Sequence, residues 1–272
     1  MADVTPERRA NLGGRTVRWL ESGSPGAPRT IMWLHAFPLV AAMWEPQLDA
    51  PPPGCRVVAP DLAGFGGTDD TTGTPTVDDF ARDAAALADH LGFERFVLGG
   101  LSMGGYATFA GLRLIAGRLD GLVLADTKPG ADTAQAREGR AKMLSLVASE
   151  GVAAVADEML PKLLGATTQR DQPGVVALVR GLIERNSARG VARGIERLRD
   201  RPDSTPLLPS IGVPTLIIVG EEDGITPVAE SKAMHEAIGG STLVVVPRAG
   251  HLANLESPAA FNSAVAAFLA AL

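Results

Sequence analysis

Phe96-Val97-Leu98-Gly99-Gly100-Leu101-Ser102-Met103-Gly104-Gly105 is the stretch from which the rest of the chain is read. Its apolar run without polar alternation has the character of a strand buried on both faces, and it is broken by paired glycines. Ser102 follows, with Gly100 and Gly104 two positions away on either side, and a helical pattern runs from Tyr106 to Gly117. A strand that turns this sharply into a helix strains the turning residue. It also brings the flanking backbones so close that only small neighbours fit. The hydroxyl of Ser102 then stands clear of the sheet at a helix N-terminus, whose free N–H groups favour negative charge. Such a position suits acyl chemistry.

Working outward, Thr30 to Leu34 reads as a second buried strand, ending at His35-Ala36-Phe37-Pro38. Arg56 to Ala59 is a third, ending in the glycine-rich loop Pro60-Asp61-Leu62-Ala63-Gly64-Phe65-Gly66-Gly67. Gly13-Gly14 before Thr16 to Leu20 predicts an edge hairpin, and Thr76 caps a helix running to about Leu91. Gly121 to Ala125 continues an alternation of strands and helices that predicts an α/β fold, a mostly parallel central sheet flanked by helices. From about Lys128 to Pro209 the pattern is helical throughout, with breaks expected at Gly151, Gly165, Pro173-Gly174 and Gly190. Strands return at Thr215 to Val219 and Thr242 to Val246, with helices over Thr226 to Ile238 and Pro258 to Leu272. The expected organisation is one core domain, residues 1–127 and 210–272, carrying an inserted helical cap at 128–209.

The bulk properties narrow the function classes. A chain of 272 residues with 46% apolar content can bury a large core. A formal charge of −6 gives no basic footprint for nucleic acid or an anionic membrane surface. Arg193 to Arg201, interleaved with Glu196 and Asp200, reads as a solvated helix face. Cys55 is the single cysteine and sits in a strand, so it is expected in the core and no metal-type spacing surrounds it. Met1 to Glu7 lacks a charged region followed by an apolar stretch, and no apolar run approaches spanning length. A cytoplasmic protein acting on a small molecule, with no nucleic-acid or membrane partner, is the expectation; oligomeric state is not legible.

A serine nucleophile needs a base, and the base needs a group to orient it. Of the four histidines, His90 ends a helix and His235 lies within one, so both read as structural. His35 sits at a strand end and reads as orienting a loop. His251, in Arg248-Ala249-Gly250-His251-Leu252, follows the final strand, where the carboxyl edge of a sheet collects functional loops. Among Glu221, Glu222 and Asp223, the last sits deepest in the turn before Gly224 and is the preferred acid; Asp126, after the strand beside the serine strand, is its rival.

With these residues in place the chain resembles the α/β-hydrolase superfamily over nearly its whole length. The order Ser102, Asp223, His251 is that superfamily's order. His35-Ala36-Phe37-Pro38 is similar to its His-Gly-x-Pro oxyanion loop, with alanine where glycine is usual, and Pro60 to Gly66 to its Pro-Asp-x-x-Gly-x-Gly turn. Met103-Gly104-Gly105-Tyr106 and Phe37-Pro38 with Met43-Trp44 look most like small esterases and lactonases, including 3-oxoadipate enol-lactonases. The resemblance implies hydrolysis of an ester or lactone through an acyl-enzyme, with no metal or organic cofactor. It implies an oxyanion hole from the backbone N–H groups of Phe37 and Met103. The pocket is expected to be apolar, from His35, Trp44, Met143, Met159 and Leu160, with Leu144 nearby; the sequence places no arginine in it. A carbon–carbon bond hydrolase using the same three residues and a slow-turnover ligand receptor are the alternatives.

Overall fold

The computed structural model describes residues 7–272; the opening residues 1–6, part of the N-terminal reading above, lie outside them. Eight strands form one sheet: β1 (Glu7–Leu12), β2 (Arg15–Ser22), β3 (Arg29–Leu34), β4 (Cys55–Pro60), β5 (Phe96–Leu101), β6 (Leu119–Ala125), β7 (Thr215–Gly220) and β8 (Thr242–Val246). Their spatial order is β1-β2-β4-β3-β5-β6-β7-β8. The hairpin β1–β2 is antiparallel, as is β2 against β4, and every other pairing is parallel. The hairpin turns at Gly13-Gly14, both at positive φ, the geometry a two-residue turn requires.

The strand period of two sorts side chains into two layers. Met32, Leu34, Phe96 and Leu98 point into one, while Ile31, Trp33, Val97 and Leu101 point into the other. Before β4 lies the short α1 (Glu45–Leu48); α2 (Val77–His90) follows β4 and α3 (Met103–Ile115) follows β5. Phe80, Leu87 and Phe109 of α2 and α3 cover the first layer. The Thr76 amide donates to the Asp79 carboxylate at 3.0 Å, closing a capping box at the start of α2.

Between β6 and β7 the chain is helical: α4 (Ala134–Leu163), α5 (Ala166–Asp171), α6 (Pro173–Glu184) and α7 (Ala188–Arg199). Gly151, at φ 80° and ψ −169°, kinks α4 and Gly165 precedes α5, as expected; the next break falls at Gln172, and α6 starts at Pro173, so Gly174 lies inside that helix. Gly190 does not break the chain. It lies within α7, whose start is set by Ser187 accepting from the Gly190 amide at 3.0 Å, and a Cβ there would sit 2.0 Å from the Gly64 carbonyl. Close approach to the core, rather than chain termination, is what this glycine permits.

The arginine-rich end of this segment also departs from expectation. Arg197 and Arg201 are buried rather than solvated. Arg197 donates to Asp70 at 2.7 Å and lies over the Phe80 ring, and Arg201 pairs with Asp132 and lies 4.2 Å from the Tyr106 ring centroid. The alternation of charges along the sequence does not reveal that carboxylates of other segments meet the arginines from the far side.

After β7 come α8 (Val228–Ala237), then β8, α9 (Ala253–Glu256) and α10 (Pro258–Ala270). Phe261, Val265 and Leu269 of α10 pack with Trp33 and Trp44 in the second layer, where Cys55 is also buried. Among the described residues, no helix is long and apolar enough to cross a membrane.

Candidate active site

Ser102 occupies the junction of β5 and α3 at φ 54° and ψ −110°, a conformation that costs a non-glycine residue about 1–3 kcal/mol and must be held from outside. Three hydrogen bonds hold it. Its amide donates to the Ala125 carbonyl at 3.0 Å, and its own carbonyl accepts from Thr127 Oγ1 at 2.9 Å and the Tyr106 amide at 3.2 Å. The glycines on either side are required by contact: a Cβ on Gly100 would lie 2.1 Å from the Gly104 carbonyl oxygen, and one on Gly104 would lie 2.0 Å from that of Leu34. Met103 is the first residue of α3, so its N–H is one of the groups the helix cannot satisfy internally.

His251 and Asp223 come from the turns that follow β8 and β7. Both are buried, and His251 Nδ1 lies 2.8 Å from Asp223 Oδ2. The carboxylate is fixed by three further donors: the Ile225 amide at 2.8 Å, the Thr226 amide at 3.0 Å and Thr226 Oγ1 at 2.6 Å. Burial by itself would raise the Asp223 pKa, but the neighbouring His251 and the hydrogen bonds from His251 and Thr226 outweigh it, leaving the carboxyl below its ordinary value. An ionised carboxylate on Nδ1 holds the imidazole with its proton there, leaving Nε2 free to accept. Ser102 and His251 line the same small cavity, and no hydrogen bond joins their side chains. Thr226, three residues beyond Asp223, was not anticipated, although a hydroxyl at that spacing is a common partner of a turn carboxylate.

The rival acid is engaged elsewhere. Asp126, at φ 41°, accepts the Gly220 amide at 2.7 Å and ties the end of β6 to that of β7. Complete burial, then the charge of Asp223, push its carboxyl well above the ordinary range despite the Gly220 hydrogen bond. Glu221 accepts the Arg248 amide, and Glu222 accepts the Thr167 amide of α5 at 2.9 Å.

The cavity holding Ser102 and His251 is lined by Phe37, Tyr106, Arg140, Met159, Leu163, Leu198 and Ile225 as well. Phe37 and Met159 are among the expected residues. Others fall elsewhere, and each has a physical reason. His35 is wholly buried; Nδ1 lies 2.9 Å from the Ala36 carbonyl and Nε2 accepts the Leu62 amide at 2.9 Å, so its ring joins two loops rather than facing a substrate. Burial lowers its pKa, against the pull of Asp61, in keeping with a neutral ring that donates on one side and accepts on the other. Trp44 is stacked on Trp33 with centroids 4.5 Å apart, inside the second core layer. Leu160 is buried in that layer too, and Leu163, one turn along α4, takes the lining place. Met143 packs against the first layer, while Arg140, one turn before it, reaches the cavity.

A larger cleft of about 670 Å³ lies between the Gly64–Gly73 loop and the start of α7, but neither Ser102 nor His251 borders it. The chemistry, not cavity size, locates the site. No group of three or more His, Cys, Asp or Glu side chains arranged to hold a metal occurs among the described residues.

Residues 29–258 match the family described as the alpha/beta hydrolase fold. A relative from Acinetobacter baylyi, 3-oxoadipate enol-lactonase 2, is 31% identical over 228 residues, 84% of each chain. A thermophilic esterase from Thermogutta terrifontis, solved with malate bound, superposes with a TM-score of 0.90 at 36% identity, covering 98% of both chains. The enol-lactonase of Burkholderia xenovorans superposes with a TM-score of 0.89 at 28% identity, over 97% of this chain and all (100%) of that one.

Proposed function

The chain belongs to the alpha/beta hydrolase fold family, and we propose that it is a serine hydrolase cleaving carboxylic esters or lactones of small, mainly apolar substrates. The observation that carries this reading is the hydrogen bond between His251 Nδ1 and Asp223 Oδ2, 2.8 Å long, beside a cavity that Ser102 shares. Likeness to an esterase and to two enol-lactonases supports the substrate class.

Ser102 attacks the substrate carbonyl while Nε2 of His251 takes its proton and passes it to the leaving alcohol; Asp223 stabilises the imidazolium. The serine–imidazole hydrogen bond forms as the substrate settles, since such bonds tighten in the Michaelis complex. The amides of Met103 and Phe37 receive the negative charge on the carbonyl oxygen, each such donor typically contributing about 10²–10³ in rate. Water activated by His251 then releases the acyl group. The helical segment 128–209 serves as a cap: Met159 and Leu163 on α4 and Leu198 on α7 roof the cavity over Ser102.

The test is turnover of a short p-nitrophenyl ester and labelling by a fluorophosphonate, with Ser102→Ala as control. Both activities are expected to vanish in the variant. Labelling that survives at another residue, or a protein that refuses esters and lactones yet cleaves a vinylogous diketone, would overturn the reading.

A further inference from the structure

Glu256 ends α9, shortly after His251, and it is buried with no ion pair to it among the described residues. A carboxylate taken out of water needs its oxygens satisfied, and here main-chain amides do this from two sides. Oε1 accepts the Leu252 amide at 3.0 Å, and Oε2 accepts the Gly165 amide at 2.8 Å. Leu252 follows His251 directly, whereas Gly165 belongs to the helical segment between β6 and β7, immediately before α5. The same short stretch reaches the turn that carries the acid. Glu222, the neighbour of Asp223, accepts the Thr167 amide at 2.9 Å and also the Thr167 hydroxyl. The hydrogen bonds from Thr167 hold the Glu222 carboxyl below its ordinary range, so this contact is charge-assisted. Gly250, which precedes His251, lays its backbone against Gly165: a Cβ on Gly250 would lie 2.1 Å from the Gly165 nitrogen. The two turns are joined to each other as well, the Glu222 amide donating to the Ala249 carbonyl at 2.8 Å.

The imidazole is held at one end only. Nδ1 meets Asp223 at 2.8 Å, but no hydrogen bond joins the ring to Ser102, so the approach of Nε2 to the hydroxyl is set by the main chain that carries the ring. Two amides locked onto one buried carboxylate restrict that main chain. We infer that Glu256 is a positioning residue: it ties the start of α5 to the backbone after His251 and so fixes where the imidazole stands relative to Asp223 and Ser102. The start of α5 is then a clamp on the turns that carry the base and the acid, while α4 and α7 supply the roof of the cavity. This inference rests on the serine-hydrolase reading and deepens it; it concerns how the base is held and says nothing of the substrate.

Substitutions on either side of the clamp test it. Glu256→Met keeps the length of the side chain and removes both acceptors; Glu256→Gln keeps one oxygen and sets an N–H₂ donor against the other amide. Gly165→Ala leaves Glu256 in place. At φ −63° and ψ 154° alanine fits the backbone, so only the new Cβ acts, 2.9 Å from the Gly250 nitrogen and 2.6 Å from a Glu222 carboxylate oxygen. With p-nitrophenyl acetate, kcat is expected to fall by up to about 100-fold in Glu256→Met, the loss that a misplacement of about 1 Å brings, while KM stays near the wild-type value. Glu256→Gln should recover part of that loss, and Gly165→Ala should lower kcat by about tenfold. Ring-nitrogen NMR of protein carrying isotope-labelled histidine, assigned with His251→Ala and recorded where the ring is neutral, reads the imidazole itself. The wild type should hold its ring proton on Nδ1; in Glu256→Met and Gly165→Ala the two nitrogen shifts should draw together as the tautomers mix. A kcat unmoved in both variants, a loss confined to KM, or ring-nitrogen shifts identical to wild type would overturn the inference. A lower melting temperature with kcat and ring shifts unmoved would assign Glu256 to stability alone and overturn it as well. Should Glu256→Met not fold, Gly165→Ala decides. Absent fluorophosphonate labelling of the wild type would instead bring down the hydrolase reading, and the ring-nitrogen shifts would still decide on Glu256.

Discussion

Asp223→Asn puts the catalytic geometry to the strictest test. The substituted amide keeps Oδ1, so the Ile225 and Thr226 amides at 2.8 and 3.0 Å retain their acceptor and the turn keeps its shape. What changes is the atom 2.8 Å from His251 Nδ1, which becomes an N–H₂ donor. Two donors cannot share that contact, so Nδ1 must become the acceptor and the ring proton moves to Nε2, the nitrogen that has to take the proton of Ser102. The hydroxyl of Thr226 also lies 3.3 Å from Nδ1, but a neutral hydroxyl at that length restores neither the 2.8 Å contact nor the carboxylate's charge. Loss of the correct tautomer, together with loss of the charge that stabilises the imidazolium, is expected to lower kcat by about 10⁴, or about 5.4 kcal/mol in activation free energy. The assay is steady-state hydrolysis of p-nitrophenyl acetate, with the fluorophosphonate-reactive fraction giving the concentration of competent protein. Asp126→Asn is the companion variant: burial and the Asp223 charge push that carboxyl well above its ordinary range, so a neutral amide suits the site, and its oxygen can still accept the Gly220 N–H. It is expected to stay within about tenfold of wild type, far inside the Asp223→Asn loss. Activity of Asp223→Asn within tenfold of wild type, or a greater loss from Asp126→Asn, would refute the assignment of the acid.

Two further outcomes follow from the same structure. Gly104→Ala sets a Cβ 2.0 Å from the backbone oxygen of Leu34, where no flexible side chain can give way; a loss of about 3 kcal/mol or more is expected in urea denaturation, against the few tenths to 1 kcal/mol usually gained when glycine is replaced at a compatible site. Stability should also respond to pH through Asp126, whose folded-state pKa is raised by burial and by the Asp223 charge. As pH climbs past the unfolded value near ~3.9, the unfolded chain gives up this proton while the folded protein retains it, so the group increasingly favours unfolding until its folded pKa is passed. The stability advantage of Asp126→Asn over wild type should therefore widen from about pH 4 upward in denaturation curves; a difference constant with pH would show that the carboxyl ionises in the folded protein.

The local part of the site was legible because it is written in contiguous residues. A buried strand, a serine between two glycines and a helix leave the backbone one way to turn, and the observed φ of 54° at Ser102 with glycines in backbone contact is that turn. The parallel sheet was legible for a similar reason, since strand-length apolar runs alternating with helical periodicity have one common solution. The segment between β6 and β7 was legible as helices but not as contacts. A helical repeat states that residues three or four apart share a face, but it does not state which face meets the cavity. Hence Leu163 lines the cavity where Leu160 was expected, and Arg140 lines it one turn before Met143.

Trp44 could not be placed from sequence either, because a tryptophan near a site loop and one stacked in the core have the same composition around them; Trp33 at 4.5 Å decides between them. Arg197 and Arg201 make the point most sharply. Along the chain they belong to a mixed-charge stretch of the kind that usually faces water, yet Asp70 and Asp132, from loops distant in sequence, neutralise them in the interior. The sequence by itself determined the main elements, their order and the candidates for nucleophile, base and acid, since these depend on local geometry and on which chemistry each residue type can perform. Only the tertiary structure decided which carboxylate holds the imidazole and which residues of the helices between β6 and β7 line the cavity, because burial and Coulomb interaction depend on distance in space, and distance along the chain does not fix it.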